Sequence, residues 1–180
     1  MNHLTQLDPA QATGKSKKLF AEVQAKVGFV PNLFRVLANA PAALEGYLTF
    51  SGALAGGSLN ARVREQISLA VAESNLCGYC LSAHTFIGGK VGLSQKEIAD
   101  AIHATATTGK TDAILKLARS IVVQRGEITD SELDYARSSG LTDSEIVETV
   151  ANVVLNIFAN YVSHVARTLV DFPEVKPGHA

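Results

Sequence analysis

Apolar residues along this chain recur at spacings of three and four almost everywhere, and nothing in it reads convincingly as a strand. Residues 1–12 (MNHLTQLDPAQA) are polar and predict a flexible N-terminal tail. Thr13 to Val27 reads as a first helix ended by Gly28, and Pro31 and Pro41 suit the first turns of helices over 31–39 and 41–55. After Gly56-Gly57, helices are expected from Asn60 to Asn75 and from Cys77 to Lys90, the latter stopped by Gly88, Gly89 and Gly92. Ser94–Glu97, Thr129–Glu132 and Thr142–Glu145 each form the Ser/Thr-x-x-Glu box that satisfies free amides at a helix start. A further helix is expected from Thr111 to Arg125. The last, from Thr142 to about Leu169, is apolar on most sides and should be central or at a subunit interface. The expected fold class is all-α, with residues 13–180 forming one helical domain.

The segment Gly92-Leu93-Ser94-Gln95-Lys96-Glu97-Ile98 matches Gly140-Leu141-Thr142-Asp143-Ser144-Glu145-Ile146 at an offset of 48, and Leu69-Ala70 aligns with Leu117-Ala118 at the same offset. Two readings are open. Gly-Leu before a capping box is a common helix start, and it is also what a duplicated helical unit would leave behind. In the second case only the first copy carries cysteines.

Composition narrows the function classes. The 180 residues are 47% hydrophobic and 18% charged, with a net charge of -1. No basic excess is available to neutralise phosphates, so a nucleic-acid binder is not expected. No apolar run approaches the roughly 18 residues of a membrane span, and the N-terminus lacks an apolar signal segment. A cytoplasmic protein without a membrane partner is the expectation. There a pair of thiols rests reduced and oxidises when it turns over.

The chain has two cysteines, Cys77 and Cys80, with His84 four residues after the second and Glu65 twelve before the first. At about 100° per residue Cys77, Cys80 and His84 fall within an arc of roughly 60°. Cα atoms three apart in a helical turn are about 5 Å apart, inside the range of a disulfide. Both thiols would lie at the start of their helix, where free amides and the dipole favour a thiolate. Glu65 shares a helix face with the small residues Ala61, Ser68 and Ala72, which invites close approach by the cysteine helix. Glu65, His84 and Cys80 could then form a proton relay, a carboxylate orienting a histidine that activates a thiol. Which thiol is the nucleophile stays open, since Cys77 is nearer the amides and Cys80 nearer the imidazole.

Each residue also has a plainer reading. A cysteine can be a small core hydrophobe, a histidine a satisfied core group and a helix glutamate a solvated one. Two thiolates, an imidazole and a carboxylate could hold zinc, although His3, His103, His164 and His179 show no ligand-like spacing with the motif. No metal and no cofactor is therefore expected. Haem attachment fails because Leu81, not histidine, follows Cys80.

The stretch from Arg64-Glu65-Gln66-Ile67 through Cys77-Gly78-Tyr79-Cys80-Leu81-Ser82-Ala83-His84 resembles the core motif of the AhpD-like alkylhydroperoxidases, within the carboxymuconolactone decarboxylase family. The flanks Gly28–Phe34 and Val170–Pro173 resemble a peroxidase-related branch of it. The resemblance implies an all-α fold with an internal repeat, assembled as a homo-oligomer (trimer or hexamer). It implies reduction of hydroperoxides, with Cys80 as the peroxidatic thiol, Cys77 as the resolving one, and Glu65 and His84 in the relay. Some members carry a second relay histidine immediately before the second cysteine; here that position is Tyr79, a poor base at neutral pH but a candidate relay or pocket residue. The decarboxylases proper work without the cysteine pair, so Cys77 and Cys80 argue against that activity.

The expected partners are a small hydroperoxide and an external dithiol reductant. The alternatives are a general dithiol–disulfide oxidoreductase or redox-responsive module, and then a zinc protein. The substrate pocket is expected to be mostly apolar, with walls from Gly28–Phe34 and from Tyr161–His164.

Overall fold

The computed structural model describes residues 3–178, and among these nine helices form with no strand, as the periodicity predicts. They are α1 (Gly14–Val27), α2 (Asn32–Leu37), α3 (Pro41–Leu54), α4 (Ala61–Ser74), α5 (Gly78–Lys90), α6 (Gln95–Ile102), α7 (Gly109–Val123), α8 (Asp130–Ser138) and α9 (Asp143–Ala166). All three capping boxes form: the Ser94, Thr129 and Thr142 hydroxyls accept from the Glu97, Glu132 and Glu145 amides, and each glutamate reaches back.

Helix α4 is the centre. Every residue from Gln66 to Glu73 is buried, because α5, α6, α7 and α9 all pack on it. Leu44, Ile67, Leu69, Leu81 and Leu115 are fully enclosed. The start of α7 follows that of α4 by 48 residues, the start of α9 follows that of α6 by 48, and the end of α8 follows that of α5 by 48. The helix triplet α4–α6 thus recurs in order as α7–α9, so the sequence match extends beyond one shared turn. Residues equivalent to the cysteines are Arg125 and Ile128.

Three details refine the sequence reading. Residues 3–12 form no helix but are tied down: the Leu7 amide donates to the Arg35 carbonyl at 3.1 Å, and Arg35 Nε donates to the Leu7 carbonyl at 2.9 Å. Helix α5 ends at Lys90 as expected, with Gly88 and Gly89 inside its last turn. A Cβ at Gly88 would sit 3.2 Å from the Leu93 side chain, so this glycine admits the close approach of the chain entering α6. Helix α9 is long and apolar enough, by length and composition, to cross a membrane. Its Asn152, Asn156, Asn160 and Ser163 are nevertheless buried, and it packs on α2, α3, α4, α5 and α7. It is the core helix its pattern predicted.

Glutamates at helix starts carry much of the electrostatic order. The Ser94 amide and hydroxyl, then Arg62, hold Glu97 down at about 2, and the Ser120 hydroxyl followed by the Thr129 amide holds Glu132 at about 2. Lys110 and the Thr142 amide lower Glu145, and the Ser58 and Leu59 amides lower Glu148. Glu148 reaches those amides over Gly57, where any Cβ would lie within 2.6 Å of its carboxylate. A carboxylate with a depressed folded pKa contributes stability that is complete above its ordinary value of 4.5 and fades as pH falls through about 2. Stability measured by urea unfolding should therefore decline from pH 4.5 downward, and Glu132→Gln should flatten that decline. A curve flat between pH 5 and pH 2 would contradict this.

Candidate functional site

The turn that joins α4 to α5 sets the position of the first cysteine. Leu76 adopts a left-handed conformation (φ 53°), and the Cys77 amide closes back on the Ala72 carbonyl at 2.8 Å. Cys77 is consequently the cap residue of α5, and its sulfur accepts from the Cys80 amide at 3.3 Å. The two cysteines are joined as a disulfide with Cα atoms 5.3 Å apart, and each residue is almost wholly covered. Cys80 Sγ lies 3.8 Å from the Ser163 hydroxyl of α9. Ser163 lies in the Tyr161–His164 region singled out in the sequence, but its contact with Cys80 was not expected. The signal was a polar residue at nearly every fourth position of an otherwise apolar helix: Glu148, Asn152, Asn156, Asn160 and Ser163 or His164.

Glu65 from α4 and His84 from α5 meet as the small-residue face predicted. Glu65 Oε2 is 2.7 Å from His84 Nδ1, and both side chains are mostly buried. A carboxylate accepts, so Nδ1 carries the proton and Nε2 is the nitrogen left to act as base or acid. Among the described residues the imidazole hydrogen-bonds to Glu65 and to neither sulfur. The first link of the expected relay is thus formed, and the second is not made while the cysteines are joined.

Two cavities open beside His84. The larger, about 350 Å³, is walled by Glu22, Lys26, Tyr47, Arg64, Glu65, His84, Asn152 and Asn156 together with aliphatic residues. The smaller, about 120 Å³, is lined by Phe29, Pro31, Leu33, Phe34, Tyr79, Phe86 and Phe172 around the same histidine. The apolar pocket with walls from Gly28–Phe34 is present in the second. The first corrects the expectation that few charged residues would line the site, because residues far apart in sequence bring two cations and two carboxylates there. Burial, and then the charge of Glu65, push the Tyr47 phenol up to about 12, so it remains a hydrogen-bond donor at neutral pH.

Tyr79 lines the smaller cavity with its ring, while its hydroxyl is engaged elsewhere. Its oxygen accepts from the Leu33 amide at 3.1 Å, and burial above all, with the Asp171 carboxylate adding to it, pushes its pKa far up. Asp171 also accepts from the Asn32 amide at 2.8 Å, and Phe172 packs against the rings of Phe29, Tyr79 and Phe86. The two flanking segments singled out in the sequence therefore close over α5 with Tyr79 as their clamp. Of the Tyr161–His164 region, Ser163 and His164 line a separate cleft at Cys77. Among the described residues no three of His, Cys, Asp and Glu converge as a metal site.

Residues 41–122, which hold Glu65, both cysteines, Tyr79 and His84, match the carboxymuconolactone decarboxylase family. No curated protein matches the chain. Among solved structures it is similar to a peroxidase-related protein of Ralstonia eutropha JMP134, described as an alkylhydroperoxidase AhpD core, with a TM-score of 0.81, 24% identity and coverage of 94% of this chain and 92% of that one. A peroxidase-related protein of Silicibacter sp. TM1040 aligns with a TM-score of 0.79, 22% identity and coverage of 93% and 92%. The debrominase Bmp8, as a cysteine-to-alanine variant in complex with 2,3,4-tribromopyrrole, aligns with a TM-score of 0.81 at 14% identity, covering 94% and 91%. The fold is AhpD-like.

Tyr79→Phe should leave the Leu33 amide buried without its acceptor and cost about 1–3 kcal/mol. The alkylation rate of the reduced cysteines should not change. Slower alkylation at unchanged thermal stability would instead put the phenol in contact with the thiols.

Proposed function

We propose that this chain, a member of the carboxymuconolactone decarboxylase family with the AhpD-like fold, is a cysteine-dependent peroxidase for organic hydroperoxides. In the reduced protein His84 Nε2 takes the Cys80 proton, and the resulting thiolate attacks the distal peroxide oxygen. The O–O bond breaks, the alkoxide leaves as an alcohol with a proton from His84 Nε2, and Cys80 becomes a sulfenic acid. The Cys77 thiol then attacks the sulfenic sulfur, water leaves, and the disulfide forms. An external dithiol reduces it and is itself oxidised to a disulfide. Glu65 orients His84 and stabilises its charged form when it takes up a proton.

The observation that carries this reading is the Glu65–His84 pair held at 2.7 Å, with His84 on the helix that also begins with the closed Cys77–Cys80 bridge. The aromatic walls beside His84 suit an organic group better than hydrogen peroxide. A general dithiol–disulfide oxidoreductase is the second reading, favoured by the cleft that adjoins Cys77 but not His84. Peroxide rates no faster than those of a free thiol would select it.

Assembly belongs to the same proposal. Val147, Val150, Val154, Phe158, Tyr161 and Val165 are exposed along one stripe of α9 at spacings of three and four. That stripe is the contact surface of a homo-oligomer, and Phe158 continues it to the site through its ring contact with Tyr47.

Turnover of cumene hydroperoxide with a dithiol donor should vanish in Cys80→Ser and stop after one reaction per thiol in Cys77→Ser. It should fall about 10²–10⁴-fold in His84→Gln. Full activity in Cys80→Ser, or a higher kcat/KM for hydrogen peroxide than for cumene hydroperoxide, would overturn the corresponding assignment. Light scattering should give a multiple of 19.0 kDa, reduced by Val154→Glu; a 19.0 kDa species at micromolar wild-type protein would remove the assembly.

A further inference from the structure

The proposed cycle needs a reductant, and neither cysteine lines the cavities beside His84. Cys77 instead lines a cleft of about 210 Å³ with Leu76, Ser163, His164, Arg167 and Thr168, and Cys80 is not among its walls. The cleft contains no acidic side chain. Arg167 is exposed at the end of α9, and its guanidinium makes no hydrogen bond or ion pair with the described residues. His164 spends Nε2 on the Asn75 carbonyl at 2.9 Å. Thr168 is 9% exposed, yet its hydroxyl has no hydrogen-bond partner in the structure, an arrangement that is costly unless a ligand completes it. Leu76, 59% exposed, is held out on the rim by its left-handed backbone.

We propose that this cleft is the reductant site and that it selects a small dithiol carrying an acidic group, attacked at Cys77. The acidic group pairs with Arg167. One thiolate of the reductant attacks Cys77 Sγ, the Cys77–Cys80 bond breaks, and Cys80 leaves as a thiolate. The second thiol of the reductant then attacks its own sulfur in the mixed disulfide, which releases Cys77 and closes the reductant's disulfide. Two electrons and two protons pass from the reductant to the cysteine pair. Peroxide beside His84 and reductant beside Cys77 thus use separate clefts, so neither has to vacate its site for the other.

The inference rests on the disulfide cycle proposed above, but its test contains no peroxide, so the two can fail separately. The oxidised full-length protein is mixed with 2,4-dimercaptobutanoate or with its neutral amide, 1,3-dithiols that can each close a five-membered cyclic disulfide, and released protein thiols are followed by mass. Each rate is divided by that of the same dithiol with hydroxyethyl disulfide. The normalised rate should favour the carboxylate by about three- to fivefold at low salt, the size of one exposed ion pair. Arg167→Gln and high salt should abolish the preference, Arg167→Lys should retain it, and the rate with the neutral dithiol should stay unchanged. In the wild type, a monothiol probe, 2-mercaptoethanesulfonate, should be trapped on Cys77 and identified by peptide fragmentation. Equal normalised rates in the wild type, a preference that survives Arg167→Gln, or an adduct on Cys80 would each overturn the proposal.

Discussion

The tight return of α5 onto α4 is the constraint on which the rest of this structure depends. Only three residues separate the two helices, and Leu76 takes a left-handed conformation so that the Cys77 amide can close on the Ala72 carbonyl. That geometry makes Cys77 the cap of α5 and lays His84 against the face of α4 that carries Glu65. Small residues at Ala61, Ser68 and Ala72 leave room for the approach. The disulfide and the imidazole–carboxylate pair are therefore two consequences of one turn. Loss of α4–α5 packing would dismantle both at once.

The site is sealed by segments more than a hundred residues apart. Asp171 and Phe172 reach back to Asn32, Phe29 and Tyr79, so the chain beyond α9 and the chain before α2 are stitched together over the cysteine helix. Tyr79 serves this closure. A buried phenol with its pKa pushed far up, engaged by the Leu33 amide, is a structural clamp and a weak proton carrier. Tyr79 is thus a rigid anchor, and in the proposed cycle His84 is the group left to transfer protons.

Helix α9 reconciles two demands. Its exposed face is a run of valines and aromatics, while its inner face carries asparagines and a serine between α4 and α5. Asn152 and Asn156 donate to carbonyls one turn back, Asn160 accepts from Asn75, and Ser163 meets Cys80. These bonds, which among the described residues leave only Asn160 Nδ2 of this seam's asparagine amides unpartnered, fix the rotation of α9 in a way that an apolar face would leave loose. The seam also leads from the cavity at His84 to the cleft at Cys77.

Helical periodicity, three capping boxes and the Gly-Leu repeat were enough to place the helices to within a few residues, because caps and amphipathic spacing are local properties of the chain. The set Glu65, Cys77, Cys80 and His84 was legible for the same reason: its members lie on consecutive helices, and their spacing decides which face each occupies. The close approach of Leu93 at Gly88 was not, since it depends on how the chain entering α6 packs. The role of Tyr79, the charges of Glu22, Lys26 and Arg64 around the cavity, and the contact of Ser163 with Cys80 were hidden too. Each depends on which distant elements pack together, and a side chain's chemistry is set by those neighbours. The sequence by itself determined the helices and the candidate quartet; only the tertiary structure decided what surrounds the quartet, because cavity walls, burial and pKa shifts arise from contacts that no local spacing encodes.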